Sequence, residues 1–220
     1  MAALILYNYY RSSTSFRARI GLEMKGLNYE YRSIHLLNGE QNKAEYRALN
    51  PIGGVPTLIH DGKVLSQSLV ILEYLDAAFP ETYQLFPEQI FLRAQVKQFC
   101  ENINADLHAL GNLKLLQYLE EKHGYTQNDK DEWVQRWFTD GFVALEKMLH
   151  ATAKQYCFGS TVTAADLLLV PLVLTAERFK TNLEPFPIIK RISQSCLTRP
   201  EFIKAHPLRQ IDTPADQRIN

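Results

Sequence analysis

The chain has 220 residues, 46% of them hydrophobic, and its 24 basic and 24 acidic side chains cancel. That length and apolar share support one large or two small packed domains and exclude a disordered chain, and the charge balance leaves no net basic field for nucleic acid or an anionic membrane. Three scattered cysteines, Cys100, Cys157 and Cys196, exclude a disulfide framework or a zinc ribbon and read as reduced thiols of the cytoplasm, while no apolar run nears the roughly 20 residues of a membrane span and the short apolar start at 1–6 lacks the basic flank of a signal peptide.

Residues 3–7 form a short apolar run that predicts a buried strand. After the polar stretch 8–15, Ile20, Leu22 and Met24 lie in a helical segment that Lys25-Gly26 closes as a basic last turn with a glycine cap. Residues 29–34 alternate and are rich in aromatics, which predicts a second strand. Strand, helix, strand in that order implies a parallel pair joined by a crossover. Residues 56–60 and 63–65 flank Asp61-Gly62 and predict a hairpin. Leu69, Leu72 and Leu75, with Ile71 and Ala78 beside them, mark an amphipathic helix over 66–79 that Pro80 stops. A β-α-β unit followed by β-β-α is the order of a thioredoxin-like domain, placed here at 1–83.

Beyond that point every periodic segment reads as helix, so 84–220 is expected to be an all-helical domain. Phe99, Ile103, Leu107, Leu110, Leu113 and Leu116 recur at steps of three and four and predict one long helix over 87–122. A further helix over 131–149 has Trp133, Trp137, Leu145 and Leu149 available for packing. Thr163-Ala164-Ala165-Asp166 is a capping-box pattern. The run 167–174 that follows is apolar on every face and should be the buried centre of this domain, bent by Pro171.

Three segments can carry chemistry. Ser12-Ser13-Thr14-Ser15 places four hydroxyls at a helix start, where the dipole and the unsatisfied N–H groups favour an anion. A thiol there ionises more readily, its pKa falling from ~8.5 to roughly 3.5–7.5. The other reading is a hydroxyl-rich cap with no ligand. Val55-Pro56 precedes a strand, where proline has no N–H to give. A cis bond there would turn the chain and expose the Val55 backbone to an extended peptide; the other reading is an ordinary proline-bounded loop. Gln67-Ser68 opens the helix after the hairpin, and Ser68 can offer O–H and N–H to a carboxylate or serve as a plain cap.

Taken together in this order, the three segments resemble the glutathione transferase superfamily. The run Ser12-Ser13-Thr14-Ser15-Phe16-Arg17-Ala18-Arg19-Ile20 is similar to the zeta-class signature Ser-Ser-Cys-Ser-aromatic-Arg-x-Arg-Ile. Ala48-Leu49-Asn50-Pro51, Val55-Pro56-Thr57-Leu58, Gln67-Ser68, Asp166-Leu167 with Val170-Pro171, Ala176-Glu177-Arg178-Phe179, and His206-Pro207 with Gln210 and Asp212-Thr213-Pro214 extend the likeness over essentially the whole chain. The resemblance implies an α/β plus all-α architecture. An N-terminal thioredoxin-like domain would bind glutathione, a C-terminal all-helical glutathione transferase domain would take substrate, the bond before Pro56 would be cis, and two chains would pair as a homodimer. The chain departs from the signature at Thr14, where the class has cysteine; some bacterial relatives that isomerise maleylpyruvate share the threonine.

The activity that the resemblance implies is glutathione-dependent cis–trans isomerisation of maleylacetoacetate to fumarylacetoacetate, late in tyrosine and phenylalanine breakdown, with glutathione regenerated as a cofactor. Ser12 and Ser13 would hold the thiolate, with Thr14, Ser15, Phe16 and Arg17 around it. Gln67 and Ser68 would take the γ-glutamyl end, Val55 and Pro56 the tripeptide backbone, and Gln41 the glycyl end. His108, Asn112, Leu113 and Lys114 align with family positions that line the site, and by themselves read as a polar helix face. The substrate is a small dicarboxylic acid, so its clamps must be basic. Arg11 and Arg178 are the candidates, with a structural ion pair as the other reading of Arg178, while Arg17 and Arg19 read as structural. No metal ligand, nucleic acid or membrane partner is expected. The competing functions are a maleylpyruvate isomerase, a glutathione transferase acting on small halogenated acids, and a non-catalytic module that keeps the fold, against which the intact hydroxyl loop argues.

Overall fold

A computed structural model describes residues 3–219, so the first two residues of the apolar start lie outside the described residues. The apolar run at 3–7 becomes β1, Leu4–Asn8, with Leu4, Leu6 and Asn8 buried. It pairs in parallel with β2, Tyr29–Ser33, through the crossover helix α1, Ser13–Met24. On its other edge β1 pairs antiparallel with β3, Thr57–His60, which forms a hairpin with β4, Lys63–Ser66, in the sheet order β2-β1-β3-β4. Asp61 and Gly62 both take positive φ, 50° and 74°, which matches the twist a two-residue hairpin turn requires. α3, Ser68–Ala78, packs Ile71 and Leu75 with Leu4, Leu6 and Leu58 of the sheet and Ala18 and Leu22 of α1. Between β2 and β3 lie elements the periodicity does not predict: single 3-10 turns at Leu36–Asn38 and Glu40–Asn42, and the short helix α2, Ala44–Leu49.

Lys25 corrects the expected basic last turn. It caps α1, but its side chain is fully buried and its ammonium meets Asp76 Oδ1 at 2.9 Å and the Tyr83 carbonyl at 2.7 Å. Asp76 also accepts the N–H groups of Leu85 and Phe86 at 3.0 and 2.9 Å. A buried ammonium is tolerated only with such a partner, and here the pair fastens α1, α3 and the exit of the chain.

The second compact unit is Pro87–Leu197. Its helices are α4, Ile90–Glu101, α5, Leu113–His123, α6, Gln127–Thr152, α7, Ala164–Arg178, and α8, Pro187–Leu197. The single long helix expected over 87–122 is therefore broken: after α4 the backbone widens into a π-helical stretch, Asn102–Leu107, turns over 108–111 and restarts behind Asn112. α6 begins earlier than expected, at a box in which Thr126 Oγ1 accepts the Asp129 N–H and Asp129 accepts the Thr126 N–H. α7 is buried from Ala164 through Val173 with Pro171 inside it, as its composition predicts. Asp166, fully buried, accepts the N–H groups of Thr163 and Cys157, both at 2.8 Å.

The first unit runs to Phe86 and takes back the chain from Thr198 onward, including α9, Pro200–Ala205. The sequence reading put that last segment with the helical domain. Arg19 donates to the Ala205 carbonyl at 3.0 Å and Lys204 pairs with Glu23 at 2.7 Å, so polar bonds to α1 draw the tail to the sheet domain.

Candidate functional site

β1 leads within four residues to the first turn of α1. Ser12 is the N-cap, extended at φ −71°, ψ 122°, and its Oγ accepts the Ser15 N–H at 3.2 Å. No acidic side chain stands in that first turn, so the positive helix end is uncompensated from within. Thr14 Oγ1 lies 2.9 Å from Ser12 Oγ and donates to the Val55 carbonyl at 2.8 Å. Thr14 thereby ties the helix start to the loop ahead of β3, where the Val55–Pro56 bond is cis, as the family resemblance implies.

That loop is held from below. Asn50, almost fully buried, donates through Nδ2 to the Gly54 carbonyl at 2.8 Å and to Thr57 Oγ1 at 3.1 Å. Tyr46 of α2 donates to the same Gly54 carbonyl. Gly53 takes φ +69°, and a Cβ there would stand 2.6 Å from Arg47 Cζ and 2.9 Å from the Gln41 carbonyl. Only glycine lets this turn lie against the 41–47 segment. Gln41 Oε1 is a buried acceptor with no hydrogen-bond partner among the described residues.

The third segment joins through a buried charge. Arg17 is 0% exposed and its Nη1 reaches Ser68 Oγ, in the first turn of α3, at 3.4 Å. Gln67, the exposed N-cap of α3, sits at φ 72°, ψ 115° and makes no side-chain cap. Thus observed bonds bring together Ser12, Thr14, Val55 and Pro56 on one side, and Arg17 and Ser68 on the other, all within the first unit.

Not every predicted residue faces outward. Ser15 is fully buried and its Oγ accepts the Tyr9 N–H at 3.3 Å, while the buried Phe16 ring lies 6.0 Å from that of His206. Both back the loop from inside. Ser13 is half-buried and Arg11 exposed. In the second unit, His108 is half-buried and follows the π-helical stretch, its N–H donating to the Ile103 carbonyl at 2.8 Å. Asn112 spends both ends of its amide on the turn: Oδ1 accepts the Leu115 N–H at 2.9 Å and Nδ2 donates to the Ala109 carbonyl at 2.7 Å. Leu113 is half-buried and Lys114 exposed. Arg178 is exposed in the last turn of α7, its Cζ 5.1 Å from the Phe179 ring centroid. It therefore ends α7 at an exposed position rather than inside the buried run, which stops short of it.

Two side chains support the loop from behind, Arg19, read as structural from the sequence, and Asp212, to which sequence reasoning assigned no role. Arg19 is fully buried and donates to Asn8 Oδ1, the Tyr9 and Tyr10 carbonyls and the Ala205 carbonyl at 2.9–3.3 Å. Burial pushes its guanidinium pKa down, and nearby Tyr31, Tyr29 and Asp212 oppose that. Asp212 accepts the Tyr10 N–H at 2.9 Å and the Tyr31 hydroxyl. Residues 8–10, just ahead of the serine loop, are therefore gripped by both a guanidinium and a carboxylate. The only signal for Asp212 was its place in the family-like run 212–214. Among the described residues no group of three His, Cys, Asp or Glu side chains is placed to hold a metal ion.

A thiol tripeptide such as glutathione fits this set of donors and acceptors. The start of α1 offers a helix end and a hydroxyl to a thiolate. The start of α3, with the Arg17 guanidinium beneath it, suits a carboxylate, and the orphaned Gln41 Oε1 can accept a peptide N–H.

Residues 2–77 match the family model for the glutathione S-transferase N-terminal domain, and residues 111–206 that for the C-terminal domain. The chain is 42% identical over 216 residues to the maleylacetoacetate isomerase of Rattus norvegicus, covering 97% of each chain. It is similar to the solved holo structure of a maleyl pyruvate isomerase, a bacterial zeta-class glutathione S-transferase, with a TM-score of 0.93, 37% identity and coverage of 96% of this chain and 100% of that one. It is also similar to maleylacetoacetate isomerase from Anaeromyxobacter dehalogenans with glutathione bound in the active site, with a TM-score of 0.86, 38% identity and coverage of 97% and 99%.

Proposed function

The chain belongs to the glutathione S-transferase family, in its zeta class, and from that membership we propose that it is an enzyme that uses glutathione to isomerise maleylacetoacetate to fumarylacetoacetate. The observation that carries the reading is the start of α1, where Ser12 and Thr14 stand together over an uncompensated helix end and are tied to Val55. When bound, glutathione supplies a thiolate that adds to the cis double bond, lets the resulting single bond turn, and leaves again.

The chain's own residues have three tasks. Ser12, Ser13 and the first-turn N–H groups hold the sulfur's negative charge. Gln67 and Ser68, with Arg17 beneath, hold the γ-glutamyl carboxylate, while Val55 pairs with the peptide backbone and Gln41 takes the glycyl end. Arg11, exposed one residue ahead of the cap, is the candidate for a substrate carboxylate, and Arg178 is a second, separate candidate. His108 and the run 112–114 keep the lining role that the resemblance implies. The domains that carry these tasks are 1–83 for glutathione and 84–220 for substrate, with the last segment structurally part of the first.

Thr14 and the likeness to the maleyl pyruvate isomerase structure favour a second substrate, maleylpyruvate, for the same site. A spectroscopic assay with both acids, with and without glutathione, tests the reading. Turnover that requires glutathione is expected with at least one; no turnover of either overturns it. We further propose a cytoplasmic homodimer. Three reduced, buried cysteines support the compartment. The neighbouring Ile90 and Phe91, left exposed at the start of α4, support the partner, and sedimentation tests it.

A further inference from the structure

We propose that Thr14 is a positioning residue that sets the direction in which the Ser12 hydroxyl donates, and that its hydrogen-bond chain reverses when a peptide N–H takes the Val55 carbonyl, turning the Ser12 proton toward the bound sulfur. The inference rests on the glutathione reading above and assigns a role to the residue at which this chain departs from its class signature.

The argument is a count of protons. A threonine hydroxyl has one. Thr14 Oγ1 stands 2.8 Å from the Val55 carbonyl, which can only accept, so that proton is spent there. The 2.9 Å contact between Ser12 Oγ and Thr14 Oγ1 then requires Ser12 to donate. Ser12 Oγ at the same time accepts the Ser15 N–H at 3.2 Å. The single proton of Ser12 therefore points at Thr14, and a hydroxyl wired in this sense does not donate to a thiolate.

Reversal requires only rotation of two O–H bonds. Thr14 turns its proton from the Val55 carbonyl to Ser12 Oγ, and Ser12 turns its own outward. Ser12 Oγ then accepts twice, from Ser15 N–H and Thr14 O–H, which polarises its O–H and strengthens the charge-assisted bond to sulfur. The Val55 carbonyl, released by Thr14, needs a new donor, and an extended peptide laid along it supplies one. The two hydroxyls keep their two protons throughout, and the thiol's proton leaves to water. Recognition of the tripeptide backbone and stabilisation of its sulfur become one event. A cysteine in this place would be a poor relay, because its S–H is a weak donor.

The test compares Thr14→Val, Thr14→Ser and Thr14→Cys with the parent chain. The thiol pKa of bound glutathione is read from thiolate absorbance against pH, and calorimetry gives the affinities for glutathione and for S-methylglutathione, which has no thiol to ionise. Thr14→Val leaves Ser12 Oγ with one donor instead of two, so the less polarised Ser12 O–H is expected to hold about threefold less thiolate at neutral pH, the size of the cooperative part of one hydrogen bond to a charge. S-methylglutathione should bind within about twofold of the parent, which also certifies the fold. Thr14→Ser should behave as the parent, and Thr14→Cys should fall on the side of valine, so the comparison stands even if the valine variant fails to fold. A bound thiol pKa equal in the serine, cysteine and valine variants overturns the relay and leaves the proposed function intact. Failure of the parent chain to bind glutathione overturns both.

Discussion

Gln67 holds φ 72° with ψ 115°, a region that side chains other than glycine avoid, and its side chain makes no cap at the start of α3. Strain of this kind costs about 1–3 kcal/mol and persists where the position serves a ligand. Glycine would remove the strain but adds about 0.5–1 kcal/mol of unfolded-state entropy. Gln67→Gly should therefore raise stability in urea by about 1 kcal/mol while weakening glutathione binding in calorimetry. A variant that is less stable than the parent would mean that the backbone is not strained there. This strain is invisible in the sequence, which offers Gln67-Ser68 as a helix opening and a family-like pair but gives no backbone angle. The hydroxyls behave likewise. Their placement at a helix start is legible, but whether each faces a ligand or the core depends on a register that only packing fixes: Ser12 and Thr14 meet, while Ser15 turns inward to Tyr9.

The regular elements of the first unit were legible because each has a local signal. β1 is a short apolar run, the β3–β4 hairpin is marked by its Asp61-Gly62 turn, α3 repeats every three to four residues, and Gly26 closes α1 at positive φ. The short helix α2 was not, since six residues complete too few turns to show a period. The broken helix of the second unit shows the opposite failure. Its apolar spacing continues through the break, so periodicity alone joins α4 to α5. Gly111 marks the place: a Cβ there would lie 2.9 Å from Cε1 and Cζ of Phe138, a ring 1% exposed in the core. Beside it the Leu110 carbonyl accepts Trp133 Nε1 at 2.9 Å. Gly111→Ala should cost about 1–3 kcal/mol by overpacking against that ring, seen as a lower urea midpoint with altered Trp133 fluorescence. An unchanged midpoint would show that Phe138 can yield and that the break has another cause.

At the scale of the whole chain, the boundary near residue 83 was legible as a change from mixed to purely helical pattern, but the return of the last segment to the sheet domain was not. The bonds that dock it join residues far apart in sequence, Arg19 to Ala205 and Tyr10 to Asp212, and leave no local signal. That docking has a pH dependence of definite sign. His206 lies against Phe16, its Nδ1 accepts the Leu208 N–H at 3.2 Å, and burial, followed by the charges of Arg19 and Arg209, holds its pKa below the usual 6.5. As pH falls through 6.5 the unfolded chain takes up the proton before the folded one does. The unfolded state then binds more protons, so the stability contributed by the neutral ring is complete above 6.5 and is lost progressively on acidification toward the folded pKa. Urea midpoints measured between about pH 7 and pH 5 should fall, and the fall should be shallower in His206→Gln, which keeps a polar side chain of similar reach without a titrating proton. If both proteins lose stability with the same slope, the tail is held by groups that ignore His206, and the docking rests on Arg19, Asp212 and the Lys204–Glu23 pair.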